Sequence, residues 1–147
     1  MSGYTDSFGA GNYDFWVLKL DASGNVSWQK TFGYAGFGDV AESIVQTADG
    51  GFAVVGYTYF GAGASDVWVL KLDGSGAVAW QKTFGGADYD DAFSIVQTAD
   101  GGLAVAGYTY SFGAGGVDHW VLKMNGNGCI GVSCALIGNT SVTGAAS

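Results

Sequence analysis

Read as an extended strand, residues 14–21 (Asp-Phe-Trp-Val-Leu-Lys-Leu-Asp) point Trp16, Leu18 and Leu20 to one side and Phe15 and Val17 to the other. Both faces are mainly apolar, so the strand must be covered twice. The pattern returns at residues 66–73 and, as Asp-His-Trp-Val-Leu-Lys-Met-Asn, at 118–125, with Trp16, Trp68 and Trp120 spaced 52 residues apart. A fixed period of this size marks a repeat architecture. Strands apolar on both faces predict stacked sheets rather than an open sandwich with a wet face.

One unit holds four predicted strands. Residues 41–47 are small or polar apart from Ile44 and Val45, as suits a crowded inner strand. The turn Ala48-Asp49-Gly50-Gly51 leads into a second strand at 52–58, apolar on both faces. A glycine-rich loop precedes the tryptophan strand at 67–72, and Asp73-Gly74-Ser75-Gly76 turns the chain into a fourth strand at 78–84. There Val78, Trp80, Lys82 and Phe84 alternate with Ala79, Gln81 and Thr83, the signature of a half-exposed outer strand. No window joins a 3.6-residue apolar period to helix caps. Four strands in about 50 residues, graded from small inside to half-polar outside, predict an all-β fold of β-propeller blades, each of four antiparallel strands. The chain holds just under three units, at about 3–32, 41–84 and 92–124. Repeats thus occupy residues 1–128, and 129–147 form a C-terminal tail placed to close a blade.

The segments Leu20-Asp21-x-Ser23-Gly24-Asn25-Val26, Thr31-Phe32-Gly33, Asp49-Gly50-Gly51 and Val55-Gly56-Tyr57-Thr58 resemble the seven-bladed-propeller-type repeat of bacterial and archaeal surface proteins. The resemblance covers residues 3 to about 128. It implies a propeller and an extracellular or cell-surface location, and is nearly silent on activity, because such folds host unrelated functions. Closed propellers take four to eight blades. The expectation is therefore a ring completed by oligomerisation, with a homodimer favoured: two three-bladed chains make six blades, and residues 139–147 patch the missing inner strand. The sequence opens almost directly into the repeat at Gly3-Tyr4-Thr5, so the expectation is a piece that begins inside a unit, with a signal peptide not present in this chain but belonging to the missing part.

Composition narrows the partners. Of 147 residues, 48% are hydrophobic and 15% aromatic, with Gly 27 and Pro 0, so core material is ample and glycine supplies the turns. The net charge is −8, arginine is absent, and the only basic residues besides His119 are Lys19, Lys30, Lys71, Lys82 and Lys123. Nucleic acid and anionic membrane need a basic stripe that this sequence lacks, and no apolar run is long enough to span a bilayer. A cation is the better electrostatic match. Cys129 and Cys134 are disulfide candidates in an oxidising compartment.

Candidate chemistry clusters in the loops between outer and inner strands. Tyr34, Phe37 and Asp39 in one unit, and Tyr89, Asp90 and Asp91 in the next, combine aromatic rings with carboxylates in a way that grips a glycan; a loop folded onto its own blade is the competing expectation. Asp88, Asp90 and Asp91 are candidate calcium ligands, although no Asp-x-Asp-x-Asp-Gly loop is present. Asp14, Asp66 and Asp118 recur two residues before each tryptophan. They are read first as caps on the glycine loop, and second as a ring of carboxylates around a cation. Phe-Gly-Ala-Gly at 8–11, 60–63 and 112–115 feeds a strand and lacks Gly-Lys-Ser, so it is a connecting loop rather than a phosphate cradle. His119 has no second histidine or nucleophile elbow for catalysis. The expected function is a non-catalytic extracellular or cell-surface interaction module with no cofactor beyond possible calcium. The alternative is a glycan- or calcium-dependent binding domain, and an enzyme with an unrecognised site comes third.

Overall fold

The computed structural model of the chain describes residues 1–61 and 64–131. Ten strands run in order: β1 (Ser2–Thr5), β2 (Asp14–Leu20), β3 (Val26–Phe32), β4 (Asp39–Gln46), β5 (Phe52–Thr58), β6 (Asp66–Leu72), β7 (Val78–Phe84), β8 (Asp90–Gln97), β9 (Leu103–Thr109) and β10 (Asp118–Met124). Among the described residues there is no helix. The strands form three antiparallel sheets, β1-β2-β3, β4-β5-β6-β7 and β8-β9-β10. The tail from 132 on, including Cys134 of the candidate disulfide, lies outside the described residues.

The doubly apolar tryptophan strand does what its pattern requires. In the middle sheet every residue of β6 is buried. Trp68, Leu70 and Leu72 pack with Phe15, Val17 and Phe32 of the first sheet. Val67 and Val69, on the opposite face, pack with Ile95, Leu103, Val105, Leu122 and Met124 of the last. The sheets therefore stack in chain order, each turning one face of its tryptophan strand back and the other forward. Neighbouring sheets also meet through β1, β4 and β8.

Backbone irregularities repeat with the sequence. Pairing shifts between Ala41 and Ser43 and again between Ala92 and Ser94, so β4 and β8 each carry a bulge at the same place. The bulge brings backbone against the glycine of each Gly-Tyr-Thr triplet: a Cβ on Gly56 would lie 1.9 Å from the Val40 carbonyl oxygen, and one on Gly107 would lie 1.9 Å from that of Asp91. At Gly50 and Gly101 the hairpin glycines take φ of 80° and 79°, as the Asp-Gly turn signal demands.

A tryptophan latch closes each joint at its outer rim. Trp28 of β3 donates its indole N–H to the Gly74 carbonyl of the middle sheet at 3.3 Å, and Trp80 of β7 donates to the Gly126 carbonyl of the last at 3.0 Å. The receiving turns are alike. Asp73 and Asn125 each accept two backbone N–H groups across the turn, and Gly76 and Gly128 adopt positive φ beneath the indole.

Candidate functional site

Antiparallel order puts every connecting loop between β1–β2, β3–β4, β5–β6, β7–β8 and β9–β10 at one end of the stack. The tyrosines gather there. In the first joint, parallel backbone pairing threads the Phe37-Gly38 segment between two loops: Asn12 N–H donates to the Phe37 carbonyl at 3.1 Å, Asp39 N–H to Tyr13 at 2.7 Å, and Tyr59 N–H to Gly38 at 3.1 Å. Gly38 has no side chain, and the rings of Tyr13 and Tyr59 flank the space above it. The result is an open cleft of about 690 Å³ lined by Asp6, Gly11, Asn12, Tyr13, Gly36, Phe37, Gly38 and Tyr59. A second depression of about 360 Å³, lined by Tyr4, Tyr13, Val40, Glu42, Tyr57 and Tyr59, shares two of those rings.

The second joint has the same backbone pairing. Asp90 N–H donates to the Ser65 carbonyl at 2.8 Å and Tyr110 N–H to that of Tyr89 at 2.9 Å, so Tyr89 stands where the first joint has Gly38. Its ring packs edge-on against Tyr110 at 6.3 Å. The two joints thus differ at two matching places, Tyr89 for Gly38 and Ser65 for Tyr13.

The rings present a largely neutral, donor-bearing surface. Tyr4 and Tyr13 meet edge-on at 5.3 Å, and Tyr57 and Tyr59 at 5.9 Å. Burial, then the neighbouring Tyr59, Asp91 and Glu42, raises the Tyr57 phenol above its ordinary value. Tyr108 is also raised, chiefly because its hydroxyl donates to Asp91 at 2.5 Å. No lysine lines either cleft, and the acids Asp6 and Glu42 supply acceptors.

The residues singled out in the sequence are divided by the fold. Phe37 lines the main cleft and Tyr89 is half exposed at the same end. Tyr34 turns inward instead, stacked on Phe60 at 4.4 Å and against Trp68 at 5.5 Å. Burial, and then Asp39, pushes its hydroxyl up to about 12, and that hydroxyl has no hydrogen-bond partner. Asp39 and Asp90 are fully buried and hold backbone: Asp39 Oδ2 accepts Tyr34 N–H, and Asp90 Oδ2 accepts Gly86 N–H, both at 2.8 Å. Asp90 also takes the hydroxyls of Thr109 and Ser111. Both carboxylates are buried and order the loop before the inner strand. Asp91 accepts Ser65 at 2.6 Å as well as Tyr108.

Asp88, Asp90 and Asp91 do not converge, and among the described residues no group of three or more His, Cys, Asp or Glu side chains is placed to hold a metal ion. The recurring aspartates act as loop caps. Asp14 Oδ2 accepts Gly11 N–H at 3.2 Å and Asp118 Oδ2 accepts Ala114 N–H at 3.0 Å. Asp14 and Asp66 are buried, seated against Gly33 and Gly85, where a Cβ would strike the carboxylate. His119 lies exposed on β10. Sequence reasoning missed Tyr13, Tyr59 and Asp6. Their only signal was the excess of tyrosine beside the loops, since the cleft joins segments far apart in the chain.

No protein-family model matches the chain, and no curated protein matches it.

Proposed function

We propose that the three sheets are propeller blades and that the chain is a non-catalytic interaction module of the cell exterior, with the tyrosine-rich end as its contact surface. The observation that carries this reading is the open cleft between Tyr13, Phe37 and Tyr59. It offers exposed rings and acceptors, and no nucleophile–base pair is assembled around it. The repeating bulges, turns and latches support the propeller reading, because each unit is joined to the next in the same way. An acidic chain with candidate disulfide cysteines suits an exported protein. With no lysine at the cleft, an anionic partner such as nucleic acid is disfavoured.

A glycan is the second reading, favoured by one feature: flat neutral rings beside the Asp6 carboxylate and Asn12 match the alternating apolar and hydroxyl faces of a sugar. A glycan array probed with and without calcium tests it. Binding that is lost on Tyr59→Ala supports the sugar reading, and loss with calcium chelation supports a metal-assisted one. An array with no glycan retained leaves a protein ligand as the occupant of the cleft.

A further inference from the structure

The two ends of the stack are unlike the joints inside it, and each end repeats one half of a joint. Leu72 and Met124, which pack back against the preceding sheet, are 0% and 1% exposed, whereas Leu20 at the same repeat position is 39% exposed. Trp68 is buried, while Trp16 beside Leu20 is only partly covered, by Phe8 of its own loop at 5.4 Å. At the far end the contrast is larger. Val17 and Val69, which pack forward, are both 0% exposed, and Val121 at their position is 71% exposed. Among the described residues, both ends thus expose apolar side chains at positions that the inner joints cover, whereas terminal repeats that stand alone in water have a polar outer face.

We propose that the back face of the first sheet, Trp16, Leu18 and Leu20, docks on the front face of the last sheet, His119 and Val121, of a second copy of this chain. The occupant follows from the joints already described. Inside the stack, faces of the Trp68-Leu70-Leu72 kind are covered by faces of the Phe15-Val17 kind, with Phe15 and Trp68 rings 4.6 Å apart. Among the described residues, one chain carries an exposed copy of each, at opposite ends. Such a head-to-tail contact gives a ring if the rotation closes and a filament if it does not. Two chains bring six sheets together, within the four to eight of closed propellers, so the two-chain ring rests on the propeller reading above while the contact itself does not. His119 makes the new joint weaker than the internal ones, since it stands where they have Phe15 and Val67.

Sedimentation across the micromolar range, on the intact chain, tests the contact. The expected species has twice the 15.0 kDa of one chain. Leu20→Glu and Val121→Glu, each placing an unpaired charge in one half of the joint, should each weaken association about tenfold or more. His119→Val should tighten it. An equimolar mixture of the two glutamate variants regains one intact joint per pair and should associate more tightly than either variant alone, a rescue that loss of folding or general stickiness would not give. A monomer at all concentrations, or mixing without rescue, overturns the contact. Open filaments with rescue would keep the contact and overturn the closed ring.

Discussion

Asp39→Asn isolates the cost of one buried carboxylate. Asp39 begins β4, is wholly buried, and is raised to about 6 from 3.8 mainly by burial. The Thr58 hydroxyl and the Tyr34 N–H pull it down, and the charge of Asp14 pushes it up. Between pH 3.8 and 6 the folded carboxyl keeps a proton that the unfolded chain has released. Stability contributed by this group is therefore full below the unfolded value, declines as pH rises through the window, and is level above 6. Two units correspond to about 3 kcal/mol at 1.36 kcal/mol each, an upper bound because protein interiors relax around charge. Asparagine keeps an oxygen for Tyr34 N–H and carries no charge at any pH. Urea melts followed by tryptophan fluorescence at fixed protein concentration, from pH 4 to 7, should show the two proteins nearly equal at pH 4 and the variant ahead at pH 7 by up to about 3 kcal/mol. Asp49 and Asp100, held well below the usual carboxylate range by Lys71 and Lys123, stay ionised throughout and do not blur the comparison. A variant that tracks the parent across the window, or is weaker at pH 7, would refute the assignment.

Two further tests address the repeat itself. Gly56→Ala or Gly107→Ala should cost on the order of 2 kcal/mol or more, because each Cβ would meet backbone of the bulged strand, whereas Gly3→Ala at the same repeat position meets nothing within 4 Å and should be nearly neutral in denaturant melts. Equal effects at all three would remove the bulge as the reason for the glycine. Trp80→Phe keeps an aromatic ring and loses the donor to the Gly126 carbonyl, and should cost about 1 kcal/mol; a melt superimposable on the parent would show the latch to be packing alone.

The strands were legible because their cause is local. Residues 52–58 and 78–84 are observed where the apolar pattern and the Asp-Gly turns place them, and β6 is buried on both faces because Trp68, Leu70 and Leu72 alternate with Val67 and Val69. The all-β class followed from the same pattern. The site was legible only in part, because it depends on what stands across a joint. Asp39 looks like a surface acid in a loop, and only its bond from Tyr34 N–H and its pairing with Thr58 explain its burial. Tyr13 and Tyr59 lie 46 residues apart, so no local window marks them as neighbours around Gly38. The register that brings them together is set by backbone bonds between loops, which leave no trace in hydrophobic spacing.

Each joint also carries its own optical reporter. The indole of Trp28 sits at the rim of the first joint and that of Trp80 at the rim of the second, and each bridges to the neighbouring sheet by one hydrogen bond. Opening a joint would free its indole to water while leaving the other in place. With the remaining tryptophans changed to phenylalanine, a chain keeping only Trp28 and a chain keeping only Trp80 would emit from different boundaries of the same stack. The order in which the two emissions shift to the red during unfolding would then tell whether the stack comes apart from its first sheet, from its last, or all at once.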